Sequence, residues 1–131
     1  MLNIMTHNDS EPAAISREGD FADRFWYWHG ASGKRYIHSV YKATSCPPLP
    51  GAVFVAVRRT GDLREAVAVG RFSRLWDVAA GITGGLDLEA LDIDELHVHL
   101  LAREEEAAEA VADDLTIWLY DRLGTKARVA A

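Results

Sequence analysis

The sequence has a single cysteine, Cys46, so no disulfide can form within the chain and no cysteine pair can hold a zinc ion. Cys46 lies in the proline-broken segment TSCPPLP, which predicts an ordinary loop thiol rather than an activated nucleophile. The sequence also lacks any run of about 18 apolar residues, and its N-terminus has no basic start followed by an apolar stretch. These absences predict a soluble, cytoplasmic protein with no membrane partner.

Charge is unevenly distributed along the chain, although the net charge is −6. Residues 24–74 hold nine Lys and Arg against two Asp and Glu, whereas residues 75–121 hold one Arg against thirteen Asp and Glu. The first half can therefore meet a polyanion, and the second half cannot. The alternative is that the two halves attract each other across the fold.

The pattern of elements predicts one domain over residues 21–124, with a mobile leader (1–20) and a short tail (125–131). A chain of 131 residues with 49% apolar content can bury one core of its own. Two aromatic and β-branched runs around the turn GASG (30–33) predict a first hairpin. The runs AVFVAVRR and EAVAVGRF predict a second hairpin, and ELHVHLLA predicts a fifth strand.

Three helices complete the predicted fold. Ser73 can cap a short helix over RLWDVAAG, and Asp87 can cap another over LEALDID. Residues 103–124 have an acidic start, helical apolar spacing and a final glycine, which together predict a long C-terminal helix. The order β-β-β-β-α-α-β-α predicts an α+β fold with a mostly antiparallel sheet of about five strands.

The first predicted hairpin carries aromatic residues on both faces. Phe25 and Tyr27 alternate with Trp26 and Trp28, so each pair points to its own side of the sheet. A hairpin with aromatic residues on both faces cannot expose both to solvent, so a helix or a partner must cover at least one face. We interpret Trp26, Trp28 and Tyr36 as candidates for stacking on nucleic acid or for a homodimer contact.

From residue 50 onward, several strings resemble the GIY-YIG nuclease family. GAVF (51–54) stands where that family has PGIY, and AVG (68–70) stands where it has YIG. ELHVHLLAREEEAAEAVADDL resembles its third strand and final acidic helix. The similarity covers residues 50–124, and it implies a phosphodiester-binding domain built from a hairpin, short helices, a third strand and a closing helix.

The residues that perform the chemistry of that family are changed in this sequence. Its two tyrosine positions are Phe54 and Ala68, and Val78 stands where the family has an arginine. Arg71 and Arg74 come one helical turn too early to replace that arginine. Since each missing donor typically costs about two to three orders of magnitude in rate, the resemblance implies a domain that binds rather than cuts.

We therefore predict a nucleic-acid-binding surface, with no catalytic residue, metal or cofactor assigned. Basic side chains beside the two hairpins can contact phosphates: Lys34, Arg35, Arg58, Arg59, Arg71 and Arg74. Arginines beside turns are also commonly solvated and without a ligand. The alternative function is a protein-interaction module, with a homodimer formed through the face of Trp26 and Trp28 and no nucleic acid involved.

Histidines give two further hypotheses. His97 and His99 share one strand face, and they could hold a metal ion with His29, His38 or Asp94 as the third ligand. His29 and His38 lie across the first hairpin and could serve as the base and acid of a metal-free ribonuclease. Histidines on a strand beneath helices are more commonly satisfied by hydrogen bonds to their neighbours.

Overall fold

The computed structural model describes residues 10–12, 24–47, 49–72, 88–123 and 128–129. These residues form strands β1 (Ser10–Pro12), β2 (Phe25–His29), β3 (Arg35–Lys42), β4 (Val53–Thr60), β5 (Leu63–Arg71) and β6 (Glu95–His99), helix α1 (Glu105–Leu123) and strand β7 (Arg128–Val129). No helix in the described part of the chain has the length and apolar character needed to cross a lipid bilayer.

All seven strands belong to one sheet, in the order β1-β2-β3-β6-β4-β5-β7. Neighbouring strands are antiparallel, except that the two-residue β7 pairs in parallel with β5. The predicted α+β class, the five principal antiparallel strands and the long C-terminal helix are confirmed. Residues 10–12 and 128–129, which the sequence assigns to a leader and a tail, each add a short strand at one edge of the sheet.

Strand β6 joins the two hairpins into one sheet. All five of its residues are buried, and it pairs with β3 on one side and β4 on the other. Because β6 is antiparallel to both, β3 and β4 run in the same direction. The β2–β3 turn precedes β3 and the β4–β5 turn follows β4, so the two turns lie at opposite ends of the sheet.

The first five residues of strand β4 are fully buried. Residues 53–57 are all 0% exposed, as expected for a strand whose two faces are both apolar. One face contributes to a cluster beneath α1 that includes Val55, Leu115 and Trp118. The other contributes to a cluster on the opposite side of the sheet that includes Phe54, Phe72 and Leu96. We call these two sides the helix side and the outer side of the sheet.

The predicted short helix over LEALDID is a turn in the structure, so that prediction is wrong for residues 88–94. The Ile93 amide donates to the Leu88 carbonyl at 2.9 Å, and the Asp92 amide donates to the Glu89 carbonyl at 3.1 Å. Asp92 has φ 56, and this combination is the Schellman motif that stops a helical turn. The first predicted short helix, over residues 74–81, lies outside the described residues.

Asp114 of α1 fixes the turn of the first hairpin. Its carboxylate accepts hydrogen bonds from the Ser32 amide at 2.9 Å, the Ser32 hydroxyl at 2.6 Å and the Tyr36 hydroxyl at 2.7 Å. A Cβ atom on Gly30 would overlap this carboxylate, so the close approach requires glycine. Burial disfavours the charged carboxylate, but the bonds from Ser32 and Tyr36 outweigh it and lower the pKa of Asp114.

Candidate functional site

Arg71 is not available to a phosphate, contrary to the sequence prediction. Its side chain is 8% exposed, and it donates to both Glu105 and Glu109 of α1 at 2.6 and 3.1 Å. Its Nε and Nη2 also donate to the Gly51 carbonyl, at 3.1 and 2.8 Å. The bond to Glu105 is the main reason that its pKa is raised, so Arg71 is a permanent cation that ties β5 to α1.

Arg58 and Arg59 are bonded within the protein, and Arg74 lies outside the described residues. Arg58 donates to the Leu91 carbonyl at 2.7 Å and lies 3.6 Å from Glu65. Arg59 donates through Nε to the Gly61 carbonyl at 2.9 Å and through Nη1 to Glu95 at 3.0 Å. Half-buried guanidiniums with these partners are weak candidates for phosphate binding.

A buried charge network joins Arg64, Glu95 and His97 on the helix side. Arg64 Nε donates to Glu95 Oε1 at 2.8 Å, and the same oxygen lies 2.8 Å from His97 Nε2. Trp28 Nε1 donates to His97 Nδ1 at 2.9 Å, so the imidazole proton lies on Nε2 and is donated to Glu95.

The two titratable groups of this network have shifted pKa values. Burial opposes the ionisation of Glu95, but hydrogen bonds from His97 and Arg64 outweigh it and lower its pKa to about 2. Burial is also the main reason that the pKa of His97 is lowered to about 4. Sequence reasoning missed Arg64 and Glu95, although a carboxylate at the start of an apolar strand is a signal that a buried cation lies nearby.

Trp26 and Trp28 lie in the core, which corrects their assignment to a stacking or partner face. Trp26 is 9% exposed and Trp28 is 2% exposed. The Arg64 guanidinium lies 4.4 Å from the Trp26 ring, and the ring of Trp28 lies 5.7 Å from that of Trp118. Helix α1 therefore covers the face that the sequence analysis leaves open to a base or a second subunit.

Tyr36 lies on the same helix side as Trp28, its cross-strand partner in β2. Its hydroxyl is bonded to Asp114, and its ring packs edge-on against His99 with 5.5 Å between centroids. Burial and the nearby Asp114 raise the pKa of Tyr36 to about 12. Tyr36 is therefore a structural contact to α1 rather than a stacking surface.

His29 and His38 do not form a catalytic pair. His38 is the cross-strand partner of Trp26 and is buried on the helix side. His29 pairs with Arg35 and follows Trp28 directly in β2. Because successive side chains of a strand point to opposite faces, His29 lies on the outer side. Two imidazoles on opposite faces of a sheet cannot act on one ribose, which removes the geometry that the ribonuclease hypothesis needs.

His97 and His99 share the helix side as predicted, but the described residues contain no group of three or more side chains that could hold a metal ion. Both ring nitrogens of His97 are engaged, by Glu95 and Trp28. The carboxylate of Asp94 accepts a bond from the Arg59 amide at 2.7 Å instead. The metal hypothesis therefore has no support in the part of the chain that is described.

The first hairpin and the residue before it carry four exposed basic side chains. Arg24, Lys34, Arg35 and Lys42 are all exposed, in contrast to the arginines of the second hairpin. The Arg35 guanidinium lies 4.4 Å from the centroid of the Tyr27 ring, and Arg24 lies 5.8 Å from that of Phe25. The rings of Phe25 and Tyr27 are half-buried on the outer side of the sheet.

We call the set Arg24, Phe25, Tyr27, Lys34 and Arg35 the first-hairpin face. The sequence predicts Lys34 and Arg35 as phosphate contacts and places Phe25 and Tyr27 on the strand face opposite to Trp26 and Trp28. The centre of the face, at Tyr27, lies about 30 Å from the turn of the second hairpin along the strand direction, at about 3.3 Å per residue. Arg58 and Arg59, which lie beside that distant turn, therefore cannot share one short ligand with Lys34 and Arg35.

Phe54 and Ala68, which stand where the GIY-YIG family has its two tyrosines, lie in the apolar cluster on the outer side. Phe54 is 0% exposed and Ala68 is 5% exposed, and they pack with Phe72 and Leu96. The Phe54 and Phe72 rings are 4.9 Å apart. No protein-family model, no curated protein and no solved structure matches this chain, so the assignment of function rests on its own geometry.

Proposed function

We propose that this chain is a small cytoplasmic binding domain of degenerate GIY-YIG type that contacts a nucleic-acid backbone through the first-hairpin face. The observation that carries the proposal is the placement of the exposed cations. Those of the first hairpin lie beside half-buried aromatic rings, whereas Arg64 and Arg71 of the second hairpin are buried against carboxylates.

The first-hairpin face has the chemistry that single-stranded nucleic acid requires. An arginine held over a tyrosine ring donates its N–H groups in the plane of its own guanidinium, where phosphate oxygens can accept from them. Aromatic faces stack bases of any sequence, and flanking cations track the backbone. We therefore expect Tyr27 to contact a base, and Lys34 and Arg35 to contact phosphates.

The GIY-YIG part of the proposal rests on the order of hairpin β4–β5, strand β6 and helix α1, together with the strings that carry the resemblance. Phe54 and Ala68 lack the hydroxyls of that family, and both side chains are enclosed by apolar neighbours. Binding rather than cleavage is therefore the activity that we assign. The second hairpin would have kept its position in the fold while its catalytic surface became core.

The test is fluorescence anisotropy with a labelled single strand of about 20 nucleotides, at low and moderate salt. Binding is expected to weaken with added salt, and Arg35→Gln is expected to reduce the slope of log K against log salt by about 0.7, as for one lost phosphate contact. Arg58→Gln is the matched control, since it removes one arginine of the second hairpin and should leave the slope unchanged.

A second variant separates stacking from charge. Tyr27→Leu removes the ring but no charge, so it should weaken binding at every salt concentration and leave the slope unchanged. The proposal fails if no salt-dependent binding is measured, or if Arg58→Gln has the same effect as Arg35→Gln. Size-exclusion chromatography of the same samples tests the protein-interaction alternative, for which a dimer without nucleic-acid binding is the expected result.

A further inference from the structure

A cavity of about 300 Å³ opens at the end of the sheet where β4 begins and β6 ends, which is also the end where the turn of the first hairpin lies. Its walls are partly apolar, from Leu49, Pro50, Ala52, Leu100 and Ala102. An apolar cavity of about 150 Å³ is large enough to hold benzene, so this one has room for a substituted single ring. Arg103, also in the lining, disfavours a cationic ligand.

His99 places a hydrogen-bond acceptor in the cavity wall. Its Nδ1 lies 2.7 Å from the Ile37 carbonyl, which can only accept, so the imidazole proton lies on Nδ1. Nε2 therefore carries a lone pair. Burial lowers the pKa of His99, which keeps the ring neutral near pH 7 and leaves Nε2 as an acceptor.

A second imidazole behind His99 repeats this arrangement. The His38 and His99 rings are 5.4 Å apart, and His38 Nδ1 lies 2.8 Å from the Tyr36 carbonyl. His38 is 1% exposed, and its Nε2 has no hydrogen-bond partner among the described residues. A buried acceptor without a donor is costly. His38 does not line the cavity, so the acceptor that a ligand with an O–H or N–H meets there is His99 Nε2.

We propose that this cavity binds a small, uncharged aromatic molecule with a hydroxyl group, of the phenol class. The ring packs against the apolar walls, and the hydroxyl donates to His99 Nε2. A ligand without the hydroxyl leaves that acceptor unpaired in the complex, so the site discriminates by hydrogen bonding rather than by size. The proposal does not depend on nucleic-acid binding.

The test compares p-cresol with toluene, which lacks only the hydroxyl, by titrating each into the ¹⁵N-labelled full chain. We expect p-cresol to bind roughly tenfold more tightly, in line with one net hydrogen bond. We also expect it to shift the backbone amides of residues 99–103 and the His99 Nε2 resonance. Equal affinity for the two probes, or no saturable shift with p-cresol, would overturn the proposal.

Two neighbouring leucines provide matched variants that should both fold. Leu100 lines the cavity and is 40% exposed, whereas Leu101 does not line it and is 72% exposed. Leu100→Ala should weaken p-cresol binding and Leu101→Ala should not, and the reverse pattern would place the ligand elsewhere. His99→Leu should bind both probes equally, and retained discrimination would contradict the assigned acceptor.

The same spectra distinguish a metal site from a phenol site. Zinc chloride added to the protein should leave the His38 and His99 resonances unchanged. A stoichiometric shift of both rings that EDTA reverses would make the two Nε2 atoms metal ligands and overturn the phenol proposal.

Discussion

Glu95 is the residue on which most of the buried charge depends. It accepts hydrogen bonds from Arg64, Arg59 and His97, and the Arg64 side chain is only 2% exposed. Arg64 can be buried because a full negative charge lies 2.8 Å away. Replacement of Glu95 therefore leaves a buried cation without its counterion.

We predict that Glu95→Gln lowers the free energy of unfolding by about 3 kcal/mol, the usual penalty for an uncompensated buried charge. Urea denaturation measures it. Glu65→Gln is the control, because Glu65 is 59% exposed and lies 3.6 Å from the half-exposed Arg58, so it should change stability by less than about 1 kcal/mol. Equal losses of unfolding free energy in the two variants would show that the buried Glu95 network stabilises the fold no more than an exposed ion pair does.

The three histidines of the helix side make stability depend on pH. Burial is the main reason that the pKa values of His38, His97 and His99 are lowered, to about 4 for His97. Below the ordinary histidine pKa of 6.5, the unfolded chain binds protons that the folded chain does not.

We predict that the free energy of unfolding falls as the pH is lowered from about 6.5 toward 4, by roughly 1 kcal/mol per pH unit for each such histidine. Glu95 keeps its contribution until the pH falls below its ordinary value of 4.5, and loses it toward its folded pKa of about 2. Urea titrations at several pH values measure the slope. A flat profile between about pH 6.5 and 5 would contradict the burial of neutral imidazoles.

At the scale of elements, one carboxylate of α1 organises the first hairpin. Asp114 bonds Ser32 in the turn and Tyr36 in β3, while its carbonyl accepts from the Ala31 amide at 3.1 Å. The hairpin and helix are far apart in sequence, and these contacts fix the angle between them. The first-hairpin face is therefore positioned by a residue on the other side of the sheet.

We predict that Asp114→Ala lowers stability by about 1–3 kcal/mol and speeds hydrogen exchange at the Ser32 amide, because the Ser32 and Tyr36 donors lose their charged acceptor. Exchange measured by NMR resolves the Ser32 amide from the rest of the turn. Asp113→Ala, a substitution at the exposed neighbouring position, should leave exchange at Ser32 unchanged. Fast exchange at Ser32 in the unmodified protein would show that the contact is not formed in solution.

The elements were predictable where the signal is local. Alternation and turn chemistry locate both hairpins, β6 and the long helix, because each pattern is written in consecutive residues. The insertion of β6 between β3 and β4 depends on pairing across tens of residues, and no local pattern records it. The choice between the Trp26 and Tyr27 faces was also open, since both are aromatic and only the position of α1 decides which one is covered.

Local patterns also gave no information on the partners of charged side chains. Arg71 and Arg35 look alike in the sequence, as arginines at strand ends. Arg71 forms an ion pair with Glu105, which lies on a helix distant in sequence. Arg35 lies over the ring of Tyr27, two residues along β2 from His29, the cross-strand partner of Arg35. The sequence therefore limits the candidate site to the basic residues of the two hairpins. Which of those residues are buried and which are exposed is known only from the fold.

For the molecule as a whole, an apolar cluster packs on each side of the sheet, and we expect the two clusters to unfold together. Leu115 belongs to the helix-side cluster and Leu96 to the outer cluster, and both are at most 1% exposed. Strand β4 contributes side chains to both clusters, so neither can be lost alone.

We predict that Leu115→Ala and Leu96→Ala each lower stability by about 2–5 kcal/mol and leave a single unfolding transition. Tryptophan fluorescence reports on the helix side through Trp28 and Trp118, and far-ultraviolet circular dichroism reports on the whole backbone. Coincident curves by the two methods are expected for both variants. Separate transitions in either variant would show that the two clusters unfold independently.

Because β6 lies at the centre of the sheet but follows both hairpins in the chain, translation sets the order of assembly. Both hairpins leave the ribosome before residues 95–99 emerge, a delay of a few seconds at about 5–20 residues per second. During that delay β3 and β4 each present an open hydrogen-bonding edge, the kind of surface that pairs with other nascent chains. Pairing of β6 with β3 and β4 covers both open edges, and so it ends the period in which the nascent chain can aggregate through them.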